Sequence, residues 1–176
     1  MKKLALIFGL IFGTAALSSA QRFAYVDTQY ILSNIPEYKA AQDQLDKISV
    51  GWQKEIEAKY TDIDKLYKAY QADQILLTED MKKKRQEEIE TKEKAVKDLQ
   101  KQRFGVGGDL FKKREDLVKP IQDKVYNAVK ALAEKDNYAV IFDKSSDLTM
   151  LYTSEKYDKS DEVLESMGYK PGANKR

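Results

Sequence analysis

The chain has 176 residues, 31 of them basic and 29 acidic, and contains neither cysteine nor histidine. Without those two residue types the usual zinc sites and the Ser-His and Cys-His nucleophile pairs are excluded, and with no disulfide available the fold must rest on packing. Lys2 and Lys3 are the only charges in the first twenty residues, so the remainder is formally neutral; this argues against nucleic-acid binding, which needs a net positive surface.

Met1-Lys2-Lys3, the apolar run Leu4 to Leu17 and Ser18-Ser19-Ala20 have the order of a secretory signal: basic, apolar, then small residues at a cleavage site. Cleavage after Ala20 leaves Gln21 first and predicts a soluble protein outside the cytoplasm. The apolar run is shorter than the roughly 20 residues of a spanning helix, and a lipid anchor would need a cysteine at the cleavage site.

Arg22-Phe23-Ala24-Tyr25-Val26-Asp27 is rich in aromatic and β-branched residues and predicts a strand. Asp27 or Thr28 can cap a short helix over Thr28–Ser33. Asn34-Ile35-Pro36 breaks it, and Pro36 suits the first position of the next helix, where its missing N–H would be unpaired anyway. From there Leu45, Ile48, Trp52, Ile56, Tyr60, Ile63, Leu66 or Tyr67, and Tyr70 recur at spacings of three and four, one apolar stripe on a helix. Pro36 to Ala72 predicts a rod of about 55 Å, which needs a partner to cover its stripe. Asp73 to Leu77 is the turn. Thr78 caps a second rod with Glu79 and Asp80 in its first turn, where the helix dipole favours acids. Met81, Ile89, Val96, Leu99 and Phe104 give it a thinner stripe.

Gly105-Val106-Gly107-Gly108 interrupts this rod. Asp109 can cap its continuation through Leu110 or Phe111, Leu117 or Val118, Ile121, Val125 and Leu132, with Pro120 expected to kink it. Tyr138-Ala139-Val140-Ile141-Phe142 predicts a strand, Asp143 to Asp147 a turn, and Leu148-Thr149-Met150-Leu151-Tyr152 a second strand, so the pair reads as a hairpin. Ser160 or Asp161 caps a last short helix that Gly168 ends, before a frayed tail.

The strands lie at opposite ends of the chain and meet only if the rods fold back. The expected fold is mainly α with a small β component: a long antiparallel helical-hairpin arm on a small β-containing body. Residues 21–35 form the first part of the body, 36–104 the arm with its tip near 73–78, 105–108 the glycine break, 109–169 the returning helix and the rest of the body, and 170–176 the tail. Such a small body rarely stabilises itself, so other copies of the chain are expected to complete it.

With Phe23-Ala24-Tyr25-Val26-Asp27 before a helix, the rod ending near Ala72, and Ile121-Gln122-Asp123-Lys124-Val125-Tyr126-Asn127-Ala128-Val129 leading into Tyr138-Ala139-Val140-Ile141-Phe142-Asp143, the mature sequence resembles the OmpH/Skp family of periplasmic chaperones. The resemblance implies a homotrimer, with strands of three chains in a central body and arms around a cavity. It implies that unfolded outer-membrane β-barrel proteins are held there without nucleotide or other cofactor. Two features depart from the family pattern. The glycine break is a candidate joint. The arm is also less basic: Pro36 to Ala72 has six basic and seven acidic residues, and Glu79 to Phe104 nine and seven, which weakens the case for electrostatic capture. A trimeric coiled-coil spacer of the cell envelope is the alternative reading.

Several residues are candidates for function. Tyr60, Tyr67 and Tyr70 offer apolar area with a polar tip to a client, or form arm core. Ile75, Leu76 and Leu77, with Met81, are apolar where a turn is normally polar; they make a client-contacting tip or seal the hairpin end. Lys82-Lys83-Lys84-Arg85 can contact an anionic membrane surface, or pair with Glu87, Glu88 and Glu90 one turn on. Gly105, Gly107 and Gly108 are a hinge or a static break. Phe23, Tyr25, Val26, Tyr138, Val140, Ile141, Phe142, Met150 and Leu151 are body-strand residues. Asp27 and Asp143, each after a strand, are the only carboxylate pair on which acid–base work can be built; helix capping by Asp27 and turn formation by Asp143 explain them without chemistry.

Overall fold

A computed structural model describes residues 22–146 and 150–172. The expected signal segment, Leu148 and Thr149 of the second expected strand, and residues 173–176 of the tail lie outside the described residues. The elements are β1 (Arg22–Val26), α1 (Thr28–Ser33), α2 (Pro36–Asp73), α3 (Glu79–Phe104), α4 (Asp109–Asp136), β2 (Tyr138–Asp143), a 3-10 turn (Glu155–Tyr157) and α5 (Ser160–Ser166). The described residues form two compact units, 22–34 with 125–146 and 150–172, and 35–124.

The second unit is built on a helical hairpin. Pro36 occupies the first turn of α2, which continues for 38 residues, about 57 Å. Thr78 caps α3, its side chain accepting from the Met81 N–H at 3.3 Å. Ile56, Ile63 and Tyr70 of α2 pack with Ile89 and Val96 of α3, and Leu66, Leu77, Leu99 and Phe104 border this core. The buried positions recur every seventh residue, the signature of a two-helix seam. Tyr60, expected on the stripe, is exposed, because one partner helix covers only a narrow strip. Beside the seam a cavity of about 570 Å³ is lined by Glu55, Lys59, Asp62, Lys92, Asp98 and Gln102, among others. Its lining also includes the apolar Ile63, Ala95, Val96 and Leu99.

α4 continues as helix through Pro120. Its buried residues Val118, Ile121, Val125 and Leu132 keep the spacing of three, four and seven that the sequence predicts. Asp109 is not the cap. The Lys112 N–H bonds to the Gly108 carbonyl at 3.1 Å, which places Asp109 in the first turn with its carboxylate turned to Arg103.

In the first unit β1 and β2 pair in parallel, with Phe23 opposite Val140 and Tyr25 opposite Phe142. Among the described residues the expected hairpin after β2 is not formed. Met150, Leu151 and Tyr152 carry no strand, and Leu151 and Tyr152 are exposed. The reason lies at Asp143. Its Oδ1 accepts from the Thr28 N–H at 3.1 Å and from Ser145 N–H at 3.0 Å, and its Oδ2 accepts from Thr28 Oγ1 at 2.6 Å. The Lys144 N–H is taken by the Val26 carbonyl at 2.7 Å. The chain leaving β2 is thus bonded to the start of α1 instead of turning back along β2. The outer side of β1 receives one bridge, Tyr25 with Asp158.

Asp27 caps α1, its Oδ1 accepting from the Tyr30 N–H at 2.8 Å. α1 packs on α5, and Ile31, Val163 and Leu164 are wholly buried. Neither Ser160 nor Asp161 caps α5. Ser160 is its first residue and donates its N–H to Asp158 Oδ1 at 2.9 Å, while Asp161 accepts from the Tyr30 hydroxyl at 2.9 Å. Gly168 follows α5 with φ of 86°, a conformation open to glycine.

Candidate client-contact surface

The turn between α2 and α3 sorts its three apolar residues. The Leu76 N–H bonds back to the Asp73 carbonyl at 2.8 Å. Leu77 then folds inward against the seam that contains Tyr70, while Ile75 and Leu76 are 94% and 85% exposed. Three consecutive side chains cannot share one direction, so sealing the hairpin with Leu77 leaves the other two in solvent. Met81 is half exposed in the next turn, as is Tyr67 on α2. Of the three candidate tyrosines, Tyr70 is core, whereas Tyr60 and Tyr67 lie outside it.

The basic run beside this turn is largely paired within its own helix. Lys82 bonds Glu79 at 2.7 Å, and Lys83 and Arg85 approach Glu87 and Glu88 at 4.0 and 3.8 Å. The hydrogen bond to Glu79 raises the Lys82 pKa above that of an ordinary lysine. Exposed pairs of this kind contribute little to stability, but they lower the net field that an anionic surface would meet.

The glycine break holds a cluster that sequence reading missed. The Arg103 guanidinium lies 4.5 Å from the Trp52 ring centre, and its NH1 donates to Asp109 Oδ2 at 2.7 Å. The Phe104 ring meets Trp52 edge-on at 6.2 Å. The available signal was an arginine and an aspartate flanking three glycines.

In the first unit Phe23 and Phe142 stack at 6.5 Å, yet both remain partly exposed, with Val140 beside them. They border a cavity of about 710 Å³ whose lining includes Arg22, Tyr25, Tyr138, Tyr152 and Tyr157. Arg22 stands 4.8 Å over the Tyr138 ring and donates to the Asp136 carbonyl at 2.7 Å. Tyr25 and Val26 are buried and Tyr138 and Ile141 half-buried.

Asp27 and Asp143 are both engaged in structure. Asp27 caps α1. Burial pushes the Asp143 carboxyl up, but the bonds donated by Thr28 and Ser145 outweigh it and hold the group below the usual carboxylate range. That is an acid fixed in its charged form, the opposite of a proton donor near neutral pH. Among the described residues no cluster of three or more His, Cys, Asp or Glu is placed to hold a metal, and no helix is long and apolar enough to cross a membrane.

A long two-helix hairpin with an apolar turn, and a small unit with a parallel strand pair, define a mainly helical architecture with a small β component. The family profile described as outer membrane protein (OmpH-like) matches residues 22–167, and the chain belongs to this family. It is 32% identical over 167 residues to an uncharacterised protein of Aquifex aeolicus (strain VF5), covering 95% of this chain and 96% of the relative. Its fold is similar to the crystal structure of a candidate outer membrane chaperone (OmpH-like) from Caulobacter crescentus CB15. There the TM-score is 0.69 at 13% identity, over 90% of this chain and 91% of the other.

Proposed function

We propose that this chain is a periplasmic holdase chaperone, exported by a cleaved signal peptide, that keeps unfolded outer-membrane β-barrel proteins from aggregating until they insert. Membership of the OmpH-like family supports a chaperone-type role. The observation that carries the finer reading is the pair Ile75 and Leu76, left in solvent at a turn that Leu77 alone seals. Adjacent exposed apolar side chains at a helical turn raise no stability of their own and suit transient contact with apolar client segments. Tyr60, Tyr67 and Met81 are also exposed on the same hairpin.

Holding needs many weak contacts rather than one strong one, and no nucleotide. Three copies assembled through the Phe23, Val140 and Phe142 face would supply several arms to one client, and linked arms raise the effective concentration of each contact. A coiled-coil spacer would favour a tight apolar seam and a polar tip. The exposed Ile75-Leu76 tip counts against it.

The test uses the chain from Gln21. A urea-unfolded outer-membrane β-barrel is diluted into it, and the mass of the resulting complex is measured by sedimentation. A complex of three chains plus client with aggregation suppressed is the expected result. Aggregation as fast as in buffer across several clients would overturn the holdase. Removal of residues 73–77 separates the two readings, because a holdase weakens while a spacer is unaffected.

A further inference from the structure

The corner between α3 and α4 is one that only glycine can build. A Cβ on Gly105 would stand 2.3 Å from the Lys101 carbonyl oxygen, and one on Gly108 would stand 2.6 Å from that of Gln102. Gly107 has φ of +69°, where a side chain is strained. Three backbone bonds close the corner: the Gly105 N–H to the Lys101 carbonyl at 2.8 Å, Gly108 to Gly105 at 2.9 Å, and Lys112 to Gly108 at 3.1 Å. Val106 projects fully into solvent at its apex.

Side chains from three helices meet across this corner. Trp52 comes from α2, Arg103 and Phe104 from the last turn of α3, and Asp109 from the first turn of α4. Arg103 presents one planar group to two partners, its face to the indole ring and its edge to the carboxylate. Gln102 Nε2 adds a weaker bond to the same Asp109 oxygen at 3.3 Å. The Arg103 and Asp109 side chains are 26% and 27% exposed, which limits screening by salt. A lysine would supply the charge without the flat face.

We propose that residues 105–108 are a latched joint. Arg103, held between Trp52 and Asp109, keeps α3 and α4 in one mutual direction, and its release lets the glycines turn. The argument rests on a mismatch. A segment with three glycines has more backbone freedom than any other of its length, yet here it is spanned by a charge-assisted hydrogen bond and a cation–π contact. The freedom belongs to the glycines and the restraint to Arg103, so one side chain controls the joint. This holds whether or not the chain carries clients.

The chain suits a direct test, since it has no cysteine and a single tryptophan. Lys97 on α3 and Lys113 on α4 are exposed. Lys97→Cys and Lys113→Cys together, each bearing a nitroxide, report the distance across the corner in the full chain by pulsed electron resonance. The expected result is one narrow distance in the parent. Arg103→Gln and Asp109→Asn should each raise a second population about five- to thirtyfold, the factor by which a lost contact or two shifts such an equilibrium. Circular dichroism establishes that the helices persist. The exchange Arg103→Asp with Asp109→Arg should narrow the distribution again, which general loosening would not do. A parent distribution that is already broad, or one that neither single substitution changes, overturns the latch.

Discussion

The backbone N–H of Asp27 donates to the Ser160 hydroxyl at 2.8 Å, joining the exit of β1 to the first residue of the last helix. The Ser160 side chain is not free to cap α5 because it is used here, and it is only 1% exposed. Asp27 contributes twice, with its N–H to Ser160 and its carboxylate to the Tyr30 N–H. Ser160→Ala leaves the Asp27 N–H without its partner beside a buried methyl group. The expected cost is about 1–3 kcal/mol, read as a lower urea midpoint at unchanged slope. A midpoint equal to the parent's would show that solvent replaces the hydroxyl.

Asp143 makes the same unit sensitive to acid. Its pKa is lowered in the folded chain; burial works against this, and the Thr28 and Ser145 bonds overcome it. The unfolded chain then binds a proton at a higher pH than the folded one. The contribution to stability is complete above the unfolded value of about 3.9 and disappears as pH falls through the lower folded value. Stability measured from neutral pH down to strong acid should fall more steeply in the parent than in Asp143→Asn. Parallel curves would show that the carboxylate is not the group responsible.

The helical part of this fold is legible because it is periodic. Pro36, Thr78 and the seven-residue recurrence of Ile56, Ile63 and Tyr70 mark the starts and the seam of long helices, and the family resemblance stated from sequence agrees with the family to which the chain belongs. The sequence is silent where one residue has two possible partners. Ser160 reads as a cap because serine favours that position, but its hydroxyl bonds Asp27 N–H far away in the chain. Leu148 to Tyr152 reads as the second arm of a hairpin because it is apolar after a turn, but its described residues Met150 to Tyr152 carry no strand, and Asp143 bonds the chain to Thr28. Arg103 reads as one more surface cation until Trp52 and Asp109 are brought to it. Ser160, Asp143 and Arg103 each find a partner distant in sequence, Asp27, Thr28 and Trp52 respectively, and no local pattern points to these.

The tip separates function from folding. Ile75 and Leu76 are almost wholly exposed, so Ile75→Ser with Leu76→Ser should change stability by no more than about 0.5 kcal/mol. The same substitutions should weaken suppression of client aggregation. Leu77→Ala should act in the opposite way. It removes contacts with the α2–α3 seam at a cost of about 1–2 kcal/mol, while leaving the exposed pair in place. Thermal unfolding and a light-scattering assay on both variants check the crossing. If Ile75→Ser with Leu76→Ser holds clients as well as the parent, the tip is not the contact surface.

Assembly is the other property on which the proposed function depends. Phe23 and Phe142 stack on one another but bury neither ring fully, and Val140 beside them is 41% exposed. A two-stranded sheet is marginal in water by itself, and the bridge of Tyr25 with Asp158 covers only part of the β1 edge. If the chain assembles as proposed, Phe23→Ser with Phe142→Ser lowers the sedimentation mass from that of the proposed three-chain assembly toward one chain, in a concentration-dependent way. Helix content should change little, since α2, α3 and most of α4 lie in residues 35–124. Holding should fall with the mass even though Ile75 and Leu76 are untouched, because a single arm loses the avidity that linked arms provide. A variant that sediments as one chain yet holds clients at the parent's level would mean that one arm suffices, and that assembly serves stability alone.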